Sequence, residues 1–213
     1  MTNNEEIIRI ILNKDIDALK EWINNGGDAT TLIGDSEYAE SLINYIIDEI
    51  EDEDGENIYL QMLEIVIENG ADVNYFYAPF NAPVFQAVYL KSQKVLKLLL
   101  ENGANVNLVG EESMTPLIDL AYYPNIELMR LVLPYTSEEF INKSGSSHAK
   151  TALGLAFNQG DLEMIELLLQ YKADPYVNDG EGYLTIENIR RDIDEDLKKE
   201  IFALIDKYKT KEK

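Results

Sequence analysis

The 213-residue chain contains no cysteine, which excludes disulfides, zinc–cysteine sites and thiol nucleophiles. No apolar run approaches the roughly 18 residues that a membrane-spanning helix needs. The first ten residues, MTNNEEIIRI, carry acids where a secretory signal peptide would carry positive charge. We therefore expect a cytoplasmic protein that does not contact a membrane.

Positive charge is also scarce, because 18 Lys and Arg residues stand against 40 Asp and Glu, a formal net charge of −22. Residues 21–90 contain no Lys or Arg at all, but fifteen Asp or Glu. An acidic chain repels phosphate backbones, so we expect no direct binding to nucleic acid. Acidic residues also keep a protein soluble, but their clustering favours a negative surface that faces a basic partner.

One apolar pattern recurs along the chain. Residues 63–74 read LEIVIENGADVN, and residues 96–107, which start 33 positions later, read LKLLLENGANVN. In both copies a glycine, Gly70 or Gly103, stands where the C-terminus of a helix needs a left-handed residue. Apolar residues recur at helical spacing in three further segments: 14–28, 124–135 and 160–174.

A second helical segment precedes most of these copies, in the stretches NAPVFQAVYL, SMTPLIDLAYY and KTALGLAFNQ. In the middle stretch Thr115 is a suitable N-cap, and Pro116 suits the first helical position. The repeating unit is therefore a turn, a helix, a tight connection, a second helix and a loop, at a spacing of about 33 residues.

The TPL opening and the GADVN and GANVN closings resemble the ankyrin repeat, and the resemblance covers nearly the whole chain. It implies an all-α solenoid of about five helix–turn–helix repeats in a single domain, 1–213. The predicted repeats and C-terminal cap are 4–34, 35–77, 78–110, 111–146, 147–179 and 180–213. The sequence departs from the family pattern at the usual histidine, replaced by Phe85, Ile118 and Gly154. The first repeat lacks the TPL opening, and the fourth lacks the GAD closing at 136–140.

No arrangement of residues predicts catalysis, a metal site or a cofactor. His148, the only histidine, lies in the Ser- and Gly-rich stretch INKSGSSHAK without a flanking acid, so we interpret it as a surface residue rather than part of a Ser–His pair. The run DEIEDEDGE at 48–56 fails the EF-hand pattern, because Ile50 and Gln61 stand where carboxylates are required. We interpret it as a solvated loop between the helices of the second repeat, with an acidic groove edge or a weak cation site as alternatives. The chain is expected not to be an enzyme.

Ankyrin-repeat proteins bind partners through a concave face built from turns and inner helices. Placing this sequence in register with the repeat gives the candidate protein-binding residues: Phe76, Tyr77, Tyr89, Leu90, Glu111, Glu112, Met114, Tyr122, Tyr123, Asn158, Gln159 and Tyr183. Tyrosine offers a large amphipathic contact area and is enriched in binding hot spots. Its ring also stacks on Arg and Lys, which suits a basic partner.

The resemblance implies a protein–protein interaction module, which we expect to be a monomer when free. We expect its acidic, tyrosine-bearing face to bind a basic protein such as a toxin or a nucleic-acid-binding enzyme. Small acidic ankyrin proteins in bacteria occur beside toxins, so the leading hypothesis is an inhibitor or immunity-type protein. The alternative is a scaffold that tethers client proteins without inhibiting them.

Overall fold

A computed structural model describes residues 3–34, 39–50, 53–76, 78, 81–145, 150–178 and 182–209. Contacts divide the chain into two compact units, unit 1 at 1–105 and unit 2 at 106–213. In the described residues both units are built from short α-helices, and regular strand is confined to one two-residue pair. The predicted all-α repeat architecture is therefore confirmed.

The described part of unit 1 contains six α-helices and one small antiparallel ladder. Its elements are α1 (Asn3–Leu12), α2 (Ile16–Asn24), β1 (Leu32–Ile33), β2 (Glu40–Ser41), α3 (Leu42–Asp48), α4 (Glu53–Glu68), α5 (Pro83–Leu90) and α6 (Gln93–Glu101). In the ladder Leu32 pairs with Ser41 and Ile33 with Glu40. Helices α3 and α5 pack side by side, and each also packs on the helix that follows it.

Local sequence explains where these helices begin and end. The Ser92 hydroxyl accepts a hydrogen bond from the Val95 amide at 3.1 Å and so caps α6. The apolar side of α6, Val95, Leu96, Leu99 and Leu100, is buried. Beyond its end Gly103 has φ +85°, the left-handed value that the sequence predicts there.

The asparagine that ends the closing motif makes side-chain hydrogen bonds that account for the recurrence of the motif. Asn74 of GADVN accepts a hydrogen bond from the Asn105 amide at 2.7 Å and donates one to the Gly103 carbonyl at 3.1 Å. Asn107 of GANVN bonds in the same way within unit 2, to the Ser137 amide and the Tyr135 carbonyl. Each closing loop is therefore fastened to the next one by a side chain with both a donor and an acceptor.

The described part of unit 2 contains six further α-helices and three 3₁₀ turns. Its elements are a 3₁₀ turn at Glu111–Ser113, α7 (Pro116–Tyr122), α8 (Ile126–Val132), a 3₁₀ turn at Leu133–Tyr135, α9 (Glu138–Ile141), α10 (Ala152–Gln159), α11 (Leu162–Gln170), a 3₁₀ turn at Thr185–Asn188 and α12 (Glu195–Lys209). Helix α10 packs on α7 and α11, and α12 packs on α11. The cap helix α12 buries Ile201 and Ile205.

The acidic run at 48–56 is not the single solvated loop that the sequence favours. Asp48 ends α3, and Glu53 already begins α4. Glu56 lies on α4 and bonds to the Lys94 ammonium at 2.7 Å and to the Ser92 hydroxyl. Carboxylates are stabilised in the first turn of a helix, where the backbone amides point outward. The interpretation as one loop is wrong because the second half of the run starts a helix.

Candidate protein-binding surface

Two adjacent tyrosines stand at the C-terminal end of α7. Tyr122 is 43% exposed and Tyr123 is 64% exposed. Their rings meet edge to face, with centroids 4.9 Å apart and an interplanar angle of 74°. This is the arrangement that the quadrupoles of two aromatic rings prefer. The pair therefore presents two ring surfaces in a defined mutual orientation.

Helix α10 holds the end of α7 in place. The Gln159 side-chain amide donates a hydrogen bond to the Ala121 carbonyl at 2.9 Å, one residue before the tyrosines. Asn158, beside it, is half-buried. The structure thus brings the predicted residue Gln159 against the segment that carries Tyr122 and Tyr123. The hydrogen bond from its side-chain amide therefore fixes the backbone immediately before the tyrosine pair.

The turn before α7 carries the predicted acids. Glu111 and Glu112 are exposed in the 3₁₀ turn, and Glu112 has φ +50°. The Met114 carbonyl accepts a hydrogen bond from the Gly110 amide at 2.7 Å and closes this turn, while the Met114 side chain is half-buried. The two acids precede the N-terminal end of α7 and the tyrosines stand at its C-terminal end, so the helix, about 10 Å long, separates them.

Tyr183 lies in the corresponding turn after the fifth predicted repeat and is exposed. This turn is fixed to the start of α10, because the hydroxyls of Thr151 and Thr185 lie 3.3 Å apart and both residues are buried. Unit 2 therefore holds eight of the predicted binding residues, which lie in the turn before α7, at the end of α7, at the end of α10 and in the turn that contains Tyr183.

Unit 1 holds the remaining predicted residues. Tyr89 is 88% exposed near the end of α5, Leu90 beside it is half-buried, and Phe76 is exposed in the preceding turn. Tyr77 lies outside the described residues, as does His148.

The structure also contains a carboxylate cluster that the sequence did not single out. Glu40 on β2, Asp48 at the end of α3 and Glu49 just after it lie close enough for the charges of Asp48 and Glu49 to act on Glu40. Burial, followed by the charges of Asp48 and Glu49, raises the pKa of Glu40 to about 7. The absence of Lys and Arg from residues 21–90 is the sequence signal that could have located this cluster.

A groove of about 680 Å³ in unit 2 was likewise not anticipated. Its floor includes Leu169 and Ile205, and its walls include Tyr176 and Tyr208. The Lys209 ammonium lies 4.8 Å from the centre of the Tyr176 ring, a cation–π distance. The groove lies between the end of α11 and α12, away from the tyrosine pair on α7.

Within the described residues, no group of three or more His, Asp or Glu side chains is arranged to hold a metal ion. No helix in that part of the chain is both long enough and apolar enough to cross a membrane.

One family model matches part of the chain. Residues 84–179 match a model described as ankyrin repeats, in three copies. This part of the chain is therefore similar to ankyrin repeats. The comparison with curated proteins finds no match. Ankyrin repeats indicate a protein–protein interaction module.

Proposed function

We propose that this protein binds a basic partner protein through its tyrosine-bearing face and inhibits that partner. The observation that carries the proposal is the exposed, mutually oriented pair Tyr122 and Tyr123 on α7. Binding hot spots are enriched in tyrosine, because a ring with two rotatable bonds supplies contact area at a low cost in conformational entropy.

The charge around the tyrosines supports a basic partner rather than a neutral one. Glu111 and Glu112 stand exposed one helix length before the pair. In unit 1 Tyr89 takes the same repeat position as Tyr122, and the neighbouring helix α3 carries Asp48 and Glu49. Lys and Arg side chains are attracted both to carboxylates and to ring faces.

The first step is to identify a protein that the wild-type chain captures from the source lysate and that the Tyr122→Ala variant does not capture. Binding kinetics then follow with that protein. We expect Tyr122→Ala to raise Kd roughly thirtyfold, an effect of about 2 kcal/mol, mainly through faster dissociation. Tyr135→Ala is the matched control, since Tyr135 is exposed to a similar extent in unit 2 but follows α8. Equal losses with both variants would contradict the proposal.

Charge is tested separately, because exposed acids steer the encounter more than they hold the complex. We expect Glu111→Gln with Glu112→Gln to slow association, and added salt to do the same. An assay of the partner's own activity separates the two functional hypotheses. Loss of that activity at one equivalent supports an inhibitor, whereas full activity in the complex supports a scaffold.

A further inference from the structure

The carboxylate cluster of unit 1 lies where two of its helices pack together. Glu40 ends the β-ladder immediately before α3, and it is about half-buried. Asp48 ends α3 and Glu49 follows it, and the charges of both act on Glu40. The Asp48 carboxylate accepts a hydrogen bond from the Gln86 amide of α5 at 2.9 Å. One member of the cluster therefore takes part directly in the contact between α3 and α5.

A buried polar network joins the cluster to the same contact. Asn44, which is 1% exposed, donates hydrogen bonds to the Gln86 side-chain oxygen at 2.7 Å and to the Asn81 carbonyl at 2.6 Å. It accepts one from the Ser41 hydroxyl at 2.6 Å. Gln86 thus bridges Asn44 and Asp48. Because buried polar groups depend on every bond in such a network, a change of charge at its edge affects the whole contact.

Among the residues that the structure describes, no basic side chain pairs with these acids. Glu40 is faced by Asp48 and Glu49, and Tyr45 of α3 lies within their influence. In their described residues, the other elements that pack on α3 add no cation. Helix α5 offers the neutral amide Gln86, the strand β1 contains only Leu32 and Ile33, and Glu56 of α4 bonds to Lys94 and Ser92. The cluster therefore carries uncompensated negative charge when it is ionised.

We infer that the Glu40–Asp48–Glu49 cluster makes unit 1 a pH-sensitive element, in which proton uptake near neutral pH tightens the packing of α3 on α5. Removing one negative charge relieves the repulsion between β2 and the end of α3. It leaves the Gln86 bridge in place, because Gln86 bonds to Asp48 and not to Glu40. The inference does not depend on a binding partner.

The direction follows from proton linkage. Burial and the neighbouring acids raise the pKa of Glu40 from the ordinary 4.5 to about 7, and burial with the charge of Glu49 also raises the pKa of Asp48. The folded state then holds the proton more tightly than the unfolded state does. The resulting stabilisation is complete below about pH 4.5 and is lost as the pH rises through about 7.

The experiment is amide hydrogen exchange of the full chain at pH 6 and pH 8, corrected for the intrinsic pH dependence of exchange. We expect the opening constants of α3 and α5 to be about three- to tenfold larger at pH 8 than at pH 6. Tenfold is about the largest change that proton linkage at Glu40 alone allows. Threefold allows for the screening of Glu40 by solvent, since the residue is only partly buried. Glu40→Gln should give the same protection at both pH values. Glu64→Gln, at an exposed position of α4, is the matched control and should keep the wild-type response.

A second variant tests whether the effect of Glu40→Gln comes from the lost charge or from a local structural change caused by the glutamine. Asp48→Asn keeps an oxygen to accept the Gln86 hydrogen bond, and it removes one charge that acts on Glu40. We expect its pH response to be smaller than that of the wild type. Equal wild-type protection at pH 6 and pH 8 would overturn the inference. So would an undiminished pH response in both Glu40→Gln and Asp48→Asn.

Discussion

The indole ring of Trp22, the only tryptophan, lies directly against the backbone of Gly27. The ring is 6% exposed, and the Gly27 amide donates a hydrogen bond to the Trp22 carbonyl at 2.9 Å. A methyl group on Gly27 would lie 2.3 Å from an indole carbon, well inside contact distance. The loop after α2 therefore closes over the ring only because residue 27 has no side chain.

We predict that Gly27→Ala displaces the indole and lowers the free energy of unfolding by about 1–3 kcal/mol, the usual effect of overpacking. Denaturant unfolding measures the loss, and the fluorescence of Trp22 reports the displacement. Gly26→Ala is the control, since Gly26 has φ +92° and open space around it. Its alanine should cost about 1–2 kcal/mol through backbone strain while leaving the emission unchanged. An unchanged emission for Gly27→Ala would contradict the packing argument.

At the scale of the element, α7 is short, and its position depends on the N-cap residue that precedes it. The Thr115 hydroxyl accepts a hydrogen bond from the Ile118 amide at 3.1 Å, and Thr115 is fully buried. Pro116 follows at the first helical position, where its missing amide hydrogen is not needed. Seven residues cannot sustain a helix in isolation, so the cap and the packing against α10 fix the position of Tyr122.

We predict that Thr115→Ala lowers the free energy of unfolding by about 1–2 kcal/mol, because the buried cap is lost. Thr115→Ser keeps the hydroxyl and should lose less. Denaturant unfolding gives the free energies, and hydrogen exchange at Ile118 gives the local effect. Equal stability of the alanine and serine variants would show that the methyl group of Thr115, and not its hydroxyl, matters there.

Features set by adjacent residues could be predicted from the sequence, including the Thr115 cap and the left-handed Gly103. Features set by distant residues could not. Asn44 reaches Asn81 and Gln86, which are 37 and 42 positions away. The helix α9 replaces the missing GAD closing of the fourth repeat, and its N-cap is Ser137, whose hydroxyl accepts the Phe140 amide. The candidate site follows the same rule. The repeat register located the tyrosines, but not the bond that Gln159 makes to α7.

Across the whole chain, negative charge greatly exceeds positive charge. The formal net charge is −22, and the described residues contain seven ion pairs, most of them exposed. Exposed pairs stabilise by at most about 1 kcal/mol each. Repulsion among the excess acids opposes the compact state. Added salt screens both the attraction within the ion pairs and the repulsion among the acids. Because acids are in excess, we expect the net effect of salt on stability to be an increase.

We predict that raising NaCl from 10 mM to 100 mM increases thermal stability, because it shortens the screening length from about 30 Å to about 10 Å. Each 1 kcal/mol gained should raise the midpoint of thermal unfolding, followed by circular dichroism, by roughly 2–4 °C. A control variant with Glu5, Glu64, Glu138 and Glu139 changed to glutamine has less charge to screen, so its midpoint should shift less. All four acids are exposed, so the substitutions leave the core unchanged. A midpoint that falls on adding salt would mean that the ion pairs outweigh the repulsion, and that the acidic excess does not strain the fold.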